Sequence, residues 1–190
     1  SPVIIVASIF QHAPEVLMTL KTSNATSIET LRGKRLMLAN SNISGQIEAM
    51  LLKNSLTLDD YQKVTYDGDV NRLADGSVFA MYGYISNEPY QLQQLGQAVD
   101  VFRPQDYGIN FYGDNFTTTQ EELNNYPERV AAMRRAIIRG WNYALENPDE
   151  IIEYTMALPS KNPLPYNLSH QQYEAKITAE LIDTNNVPLG

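Results

Sequence analysis

The chain has 190 residues, 43% of them hydrophobic, which is enough for one sizeable core or for two small α/β lobes. Its formal net charge is −8 and it contains no basic run, which argues against a nucleic-acid-binding protein because such proteins carry a basic face. The sequence has no cysteine, and this excludes disulfide bonds, thiolate metal sites and a cysteine nucleophile.

The first half of the chain alternates between segments typical of strands and segments typical of helices. Strands are predicted at 3–9, 16–20, 35–39, 64–66, 78–82 and 99–102. Helices are predicted at 46–54, 69–73 and 87–95, with a shorter one before Gly33. Because strands and helices alternate, we expect a mainly parallel sheet with helices on both faces. The chain opens directly on an apolar strand-like run, so we also expect that it is a segment of a longer protein.

The last third of the chain is predicted to be helical, with helices at 128–146, 149–156 and 169–182. The first of these carries apolar residues at helical spacing, and this pattern predicts a buried stripe. The stripe consists of Val130, Met133, Ile137, Trp141 and Leu145. Residues 108–112 have the pattern of a strand, and residues 159–168 form a proline-rich loop.

Two polar positions follow predicted strands, where open α/β sheets place their ligands. His12 lies in the loop after the first strand, and either ligand contact or a half-exposed loop position would explain it. Asn87 and Glu88 follow the strand at 78–82. A carboxylate beside an amide suits an amino-substituted heterocycle or an amine, whereas the alternative is that Glu88 only interacts with the helix dipole.

Two further loops offer candidate binding groups. The loop 40–45, which contains Ser41 and Ser44, ends a strand and opens a helix, so its backbone N–H groups could hold a polar group or an anion. A simple capping loop is the alternative. The segment 107–114 contains Tyr107, Phe111 and Tyr112, and aromatic walls are common in small-molecule clefts. Core packing is the alternative for Phe111.

No motif for catalysis or metal binding is present. The sequence lacks a glycine-rich phosphate loop, a GxSxG elbow and an HExxH motif. Its two histidines, His12 and His170, have no partner at ligand spacing. We therefore expect no catalytic residue, no metal and no cofactor.

Several longer segments occur together in one order along the chain. They are Ile9-Phe10-Gln11-His12-Ala13-Pro14, Leu31-Arg32-Gly33-Lys34-Arg35, Ser86-Asn87-Glu88-Pro89-Tyr90, Tyr107-Gly108-Ile109-Asn110-Phe111-Tyr112-Gly113-Asp114, Arg139-Gly140-Trp141-Asn142-Tyr143-Ala144-Leu145 and Pro148-Asp149-Glu150-Ile151-Ile152. With these segments the sequence resembles the thiamine-pyrimidine and sulfonate-binding branch of periplasmic binding proteins. It is most similar to the version that forms the extracytoplasmic sensor domain of bacterial histidine kinases and diguanylate cyclases.

The resemblance implies a two-lobed α/β fold of the type II periplasmic-binding-protein kind, here lacking its N-terminal strands. Residues 1–27 and 106–190 would form lobe one, and residues 28–105 would form lobe two. The lobes would close on a small-molecule ligand, either an aminopyrimidine, a sulfonate or an amine-like compound. The residues implied to bind it are Phe10, His12, Asn87, Glu88, Tyr107 and Tyr112, together with Ser41 and Ser44.

The same resemblance implies an extracytoplasmic, periplasmic location, with or without a membrane tether, and an attached or partner membrane protein. Two other functions are alternatives to this one. A related branch synthesises the thiamine pyrimidine with iron and carries a cysteine-rich motif, which this chain lacks. The third possibility is an interaction module that binds no ligand. We therefore expect a binding domain for signalling or ABC-type uptake that is not itself an enzyme.

Overall fold

A computed structural model of the chain describes residues 2–40, 43–159, 167–182 and 188–189. The chain divides into two compact units. Unit 1 consists of residues 1–13 and 112–190, and unit 2 consists of residues 14–111. Each unit has its own sheet and its own helices.

The elements follow the chain in an order that confirms the predicted mixture of strands and helices. The strands are β1 (Val3–Phe10), β2 (Glu15–Leu20), β3 (Arg35–Leu38), β4 (Gln62–Thr65), β5 (Ala80–Tyr84), β6 (Val99–Phe102) and β7 (Gly113–Thr119). The helices are α1 (Gly45–Lys53), α2 (Asn71–Ala74), α3 (Glu88–Gln94), α4 (Gln120–Asn125), α5 (Pro127–Glu146), α6 (Pro148–Ala157) and α7 (Leu168–Ile182). Short 3₁₀ turns lie at Lys21–Ser23, Ile28–Leu31, Leu58–Asp60 and Pro104–Tyr107.

Unit 2 is built on a five-stranded sheet with the strand order β4-β3-β5-β2-β6. Strands β3, β4 and β5 run parallel, whereas β2 runs antiparallel to both of its neighbours, β5 and β6. The carboxyl ends of β3, β4 and β5 therefore meet the amino end of β2 at one edge of the sheet. Ligands of open α/β sheets bind at such an edge.

The core of unit 2 covers its central strands on both faces. The consecutive residues Leu36, Met37 and Leu38 of β3 are each fully buried, as are Leu17 and Met18 of β2. Side chains of consecutive strand residues point to opposite faces, so both faces of the sheet are covered. This burial on both faces explains the continuous apolar runs in the sequence.

Unit 1 pairs β1 with β7 in a two-stranded antiparallel sheet and adds the helices α4 to α7. The predicted buried stripe of α5 is only partly formed. Val130 is buried, but 53% of Met133 is exposed, and Ile137, Trp141 and Leu145 are half-buried. A described sheet of two strands offers too little area to cover one full face of a 20-residue helix.

Two further expectations differ from the structure. Residues 14–27, which the sequence analysis assigned to lobe one, group with unit 2, since β2 hydrogen-bonds to β5 on one side and to β6 on the other. Residues 106–111 also belong to unit 2. The strand expected at 108–112 is wrong, because β7 begins only at Gly113.

No helix among residues 2–40, 43–159, 167–182 and 188–189 is both long and apolar enough to cross a membrane.

Candidate functional site

A buried carboxylate lies at the carboxyl edge of the unit 2 sheet. Glu88 is the first residue of α3, directly after β5, and only 5% of it is exposed. Tyr66 donates its hydroxyl proton to Glu88 Oε1 at 2.7 Å, and the Tyr84 backbone N–H donates to Glu88 Oε2 at 2.7 Å. Asn87 Nδ2 also donates to Oε1, at 3.2 Å. Both oxygens of Glu88 therefore act as acceptors, as those of an ionised carboxylate do.

These contacts determine how many further hydrogen bonds Glu88 can accept. A carboxylate offers about four acceptor positions, and three of them are filled by the tyrosine, the backbone and the asparagine. One acceptor position of Glu88 therefore has no partner among the described residues. The three donors are all neutral groups, so the charge of Glu88 is stabilised here only by dipoles.

Three tyrosines with contacting rings stand at this end of the sheet, and we call Tyr66, Tyr82 and Tyr84 the tyrosine cluster. Tyr66 contacts Glu88 with its side chain, and Tyr84 does so with its backbone N–H. Tyr66 and Tyr82 meet edge to face with ring centroids 5.3 Å apart, and Tyr82 and Tyr84 do so at 6.2 Å. The Tyr82 hydroxyl oxygen is buried and has no hydrogen-bond partner among the described residues. Tyr84 is 41% exposed, so the cluster combines a solvent-facing ring with a buried hydroxyl.

Tyr66 and Tyr82 are held in the neutral, proton-donating form. Burial, and next the charge of Glu88 and the hydrogen bond to it, raise the pKa of Tyr66 well above its ordinary value. Burial, and next the neighbouring Tyr84 and Glu15, likewise raise the pKa of Tyr82. Their hydroxyls are therefore available as hydrogen-bond donors across the physiological pH range.

Gly83 lets the strand pass close to Glu88. A Cβ atom at this position would lie 2.8 Å from Glu88 Oε2 and 2.7 Å from Met18 Cε. Both distances are far below ordinary van der Waals contact, so only a glycine allows the carboxylate to reach the Tyr84 N–H in this geometry.

In the loop between β3 and α1, Ser44 stabilises the local backbone. This side chain is fully buried, and its hydroxyl lies 3.0 Å from the Ala39 carbonyl oxygen and 3.2 Å from that of Asn40. These contacts favour the capping-loop alternative for Ser44. Ser41 lies outside the described residues.

A second carboxylate stands at the same edge. Glu15 begins β2 and is the register partner of Tyr84 on β5. Gln46 in the first turn of α1 donates from Nε2 to Glu15 Oε2 at 3.3 Å. Glu15 and Gln46 were not predicted as site residues, because their proximity depends on the antiparallel position of β2.

The remaining predicted residue of unit 2 is Tyr107, which lies in the 3₁₀ turn before Gly108. Its half-buried ring packs against the hydrophobic core of unit 2, and burial raises the pKa of its phenol. Phe111, for which core packing had been considered, is instead 55% exposed.

The other three predicted residues belong to unit 1. Phe10 is buried and meets the ring of Trp141 edge to face at 5.9 Å. The His12 backbone N–H donates to the Leu181 carbonyl oxygen at 3.3 Å, and Tyr112 is 60% exposed. Phe10 therefore supports the packing of unit 1, whereas His12 is half-buried and Tyr112 is exposed.

The tyrosine cluster was not among the site residues predicted from the sequence. Tyr66 follows β4, and Tyr82 and Tyr84 alternate at the carboxyl end of β5. Their common signal is a position at the end of predicted parallel strands, which is the same signal that singled out Asn87 and Glu88.

Unit 1 contains a separate cavity of about 540 Å³ between α5, α6 and α7. Trp141, Leu145, Ile151, Ile152 and Ala175 form much of its wall. The buried carboxylate with its unpaired neighbouring hydroxyl lies in unit 2, and we therefore take the edge of the unit 2 sheet as the candidate site. Within the described ranges, no three His, Cys, Asp or Glu residues are grouped so that they could hold a metal ion.

The sequence profile described as NMT1/THI5 like matches residues 1–151. The chain belongs to the NMT1/THI5-like family. A formylaminopyrimidine-binding protein of Halalkalibacterium halodurans is 27% identical to this family member over 120 residues, which are 62% of the chain and 36% of that protein.

Solved structures show the same fold as this NMT1/THI5-like chain. The periplasmic sulfonate-binding protein SsuA of Methylobacillus flagellatus matches with a TM-score of 0.68 and 20% identity, over 90% of this chain and 52% of that one. The aliphatic sulphonate-binding SsuA of Escherichia coli also gives 0.68, with 17% identity, over 98% and 66%. A desulfurization enzyme, DszB, matches at 0.55 with 14% identity, over 95% and 70%.

These matches confirm the predicted α/β, periplasmic-binding-protein-like fold and the family resemblance. The relatives include periplasmic ligand-binding proteins as well as one enzyme. The chain spans about a third of the length of the formylaminopyrimidine-binding protein and about half of the M. flagellatus protein.

Proposed function

We propose that this chain is the ligand-binding part of an extracytoplasmic receptor for a small nitrogenous molecule, with an aminopyrimidine as the leading candidate. The observation that carries the proposal is Glu88, a buried carboxylate with one acceptor position left beside the tyrosine cluster. An N–H group of an aminopyrimidine would fill that position, and the exposed ring of Tyr84 would offer a stacking surface. The formylaminopyrimidine-binding relative supports this ligand class.

The proposed role of each predicted residue agrees with its position in the structure. Glu88 and Asn87 accept and donate hydrogen bonds at the ligand, while Tyr107 and Ser44 support unit 2 from within. Ser41 remains a proposed contact outside the described residues. For unit 1, the predicted ligand-binding roles of His12, Tyr112 and Phe10 stay proposals, and the Phe10 ring packs on Trp141 within that unit.

Ligand binding would stabilise a closed form of the receptor, and the ligand would not be chemically converted. A ligand shifts an open–closed equilibrium by its different affinity for the two forms. The closed form would then be recognised by a membrane protein, either a transport permease or an attached signalling protein. We propose that this chain has no catalytic activity of its own, since its sequence carries no cysteine, no GxSxG elbow and no HExxH motif.

Calorimetric titration of the 190-residue chain tests this function. We expect 4-amino-5-hydroxymethyl-2-methylpyrimidine to bind with a negative heat-capacity change, because binding buries apolar surface. Glu88→Gln should weaken binding by roughly 1.5–3 kcal/mol, the value of a hydrogen bond to a charged group. Glu48→Gln, which makes the same change at a carboxylate paired with Lys63, is the matched control and should bind normally.

Two results would contradict the proposal. One is the absence of binding across aminopyrimidines, sulfonates and amines, which would favour the ligand-free interaction module. The other is an unchanged affinity in the Glu88→Gln protein.

A further inference from the structure

Glu88 is a buried carboxylate, and none of its described hydrogen-bond donors carries a positive charge. Its three described donors are a phenol, a backbone N–H and a carboxamide. Buried charges in proteins are normally paired, because moving a charge out of water costs several kcal/mol per ion. Neutral donors reduce this cost, but they leave a negative potential at the open acceptor position.

Charged groups on the neighbouring elements have partners of their own. From β2, Glu15 accepts a hydrogen bond from Gln46 and lies close enough to Tyr82 to contribute to its raised pKa, with burial as the larger cause. After β4, Asp67 is neutralised by its ion pair with Arg72 at 2.8 Å. Among the described residues, the groups that hydrogen-bond to Glu88 are all neutral.

The tyrosine cluster contains a second buried polar group. Tyr82 is 3% exposed, and its hydroxyl oxygen has no hydrogen-bond partner of ordinary geometry among the described residues, with Tyr84 as its polar neighbour. A ligand that reached this hydroxyl would satisfy it as well.

We propose that this site takes up its ligand as a cation, so that a protonated nitrogen of the ligand pairs with Glu88. This inference rests on the proposed receptor function and specifies the charge state of the bound molecule. An anionic ligand such as a sulfonate would face the charge of Glu88 and would be rejected at this edge. A weakly basic heterocycle would gain its proton on binding, because the site favours the charged form.

A set of ring compounds of similar size tests the charge preference by calorimetry on the 190-residue chain. The probes are 4-aminopyridine, which is a cation at neutral pH, aniline, which is neutral, and benzenesulfonate, which is an anion. We expect 4-aminopyridine to bind at least tenfold more tightly than aniline, and benzenesulfonate to bind least, as expected for a charge-assisted hydrogen bond (~10-fold).

The outcomes separate this inference from the proposed function. If aniline binds as tightly as 4-aminopyridine, or if benzenesulfonate binds best, the chain is still a receptor but the cation inference is overturned. If none of the three probes and no aminopyrimidine binds, the receptor function itself fails, and the inference fails with it.

Proton uptake gives a second readout. The probe is 4-amino-2-methylpyrimidine, titrated at a pH above its own pKa in buffers that differ in ionisation enthalpy. We expect an uptake of about one proton for each ligand bound, because the ligand enters neutral and is held protonated. Binding without proton uptake would overturn the inference.

A variant connects the preference to the carboxylate. Glu88→Gln should lower the affinity ratio of 4-aminopyridine to aniline by about tenfold. Glu48→Gln should leave the ratio unchanged. An unchanged ratio in the Glu88 variant, with binding retained, would contradict the proposal.

Discussion

Replacing Gly83 with alanine should lower the free energy of unfolding by about 1–3 kcal/mol, which is a typical cost of overpacking a buried position. The new methyl group would lie 2.7 Å from Met18 Cε and 2.8 Å from Glu88 Oε2. The methionine end is flexible and can move aside. The carboxylate is held by Tyr66 and the Tyr84 N–H, so its displacement would break hydrogen bonds in a buried place. Ligand affinity should fall at the same time.

Chemical denaturation followed by circular dichroism measures this change, and Gly140→Ala is the matched control. No atom lies within 4 Å of a Cβ built at Gly140, which is inside α5. The control substitution should therefore stabilise the protein by about 0.5–1 kcal/mol, since alanine is the better helix former. If Gly83→Ala behaved like the control, the close approach of the strand to Glu88 would not exist.

Raising the pH above about 10 should destabilise the protein through its buried tyrosines. The pKa values of Tyr66 and Tyr82 are raised in the folded state above the ordinary value of 10.0. The folded state therefore binds protons more strongly than the unfolded state in this range. The stabilisation by the neutral phenols is complete below pH 10 and is lost as the pH rises from there through the folded-state pKa values.

The unfolding midpoint in urea, measured between pH 8 and pH 11, should fall above pH 10. Tyr66→Phe removes one of the two groups and should make the decline less steep, at the cost of the hydrogen bond to Glu88. Tyr126→Phe changes a tyrosine that is 52% exposed and should leave the steepness unchanged. A midpoint that is flat up to pH 11 would disagree with the burial of these two phenols.

Much of the fold follows from local sequence patterns. The helices α1, α3, α5, α6 and α7 begin and end within one or two residues of the predicted bounds, because apolar periodicity and flanking Gly and Pro residues are local signals. The strands β3 and β6 are also placed correctly for this reason. Asn87 and Glu88 could be found because they follow a strand directly.

Local sequence patterns do not predict which segments pair when they are far apart in the chain. Nothing in residues 15–20 indicates that β2 inserts antiparallel between β5 and β6, and this insertion moves the segment into unit 2 and brings Glu15 to the site. The partner of Glu88 is Tyr66, 22 residues earlier in the chain, so the burial of the carboxylate could not be predicted. The periodicity of α5 indicates an apolar face, but not how much of it is covered.

The most direct measurement follows the tyrosine rings during ligand titration. The chain has 12 tyrosines, and nuclear magnetic resonance of protein with ¹³C-labelled tyrosine, assigned by Tyr→Phe variants, reports on each ring. On titration with 4-amino-2-methylpyrimidine, we expect saturable shifts for the rings of Tyr66, Tyr82 and Tyr84, while the exposed rings of Tyr126, Tyr143 and Tyr154 keep their positions. Binding that leaves the three cluster rings unshifted, or that shifts only Tyr143 and Tyr154, would contradict the assignment of the site to the edge of the unit 2 sheet.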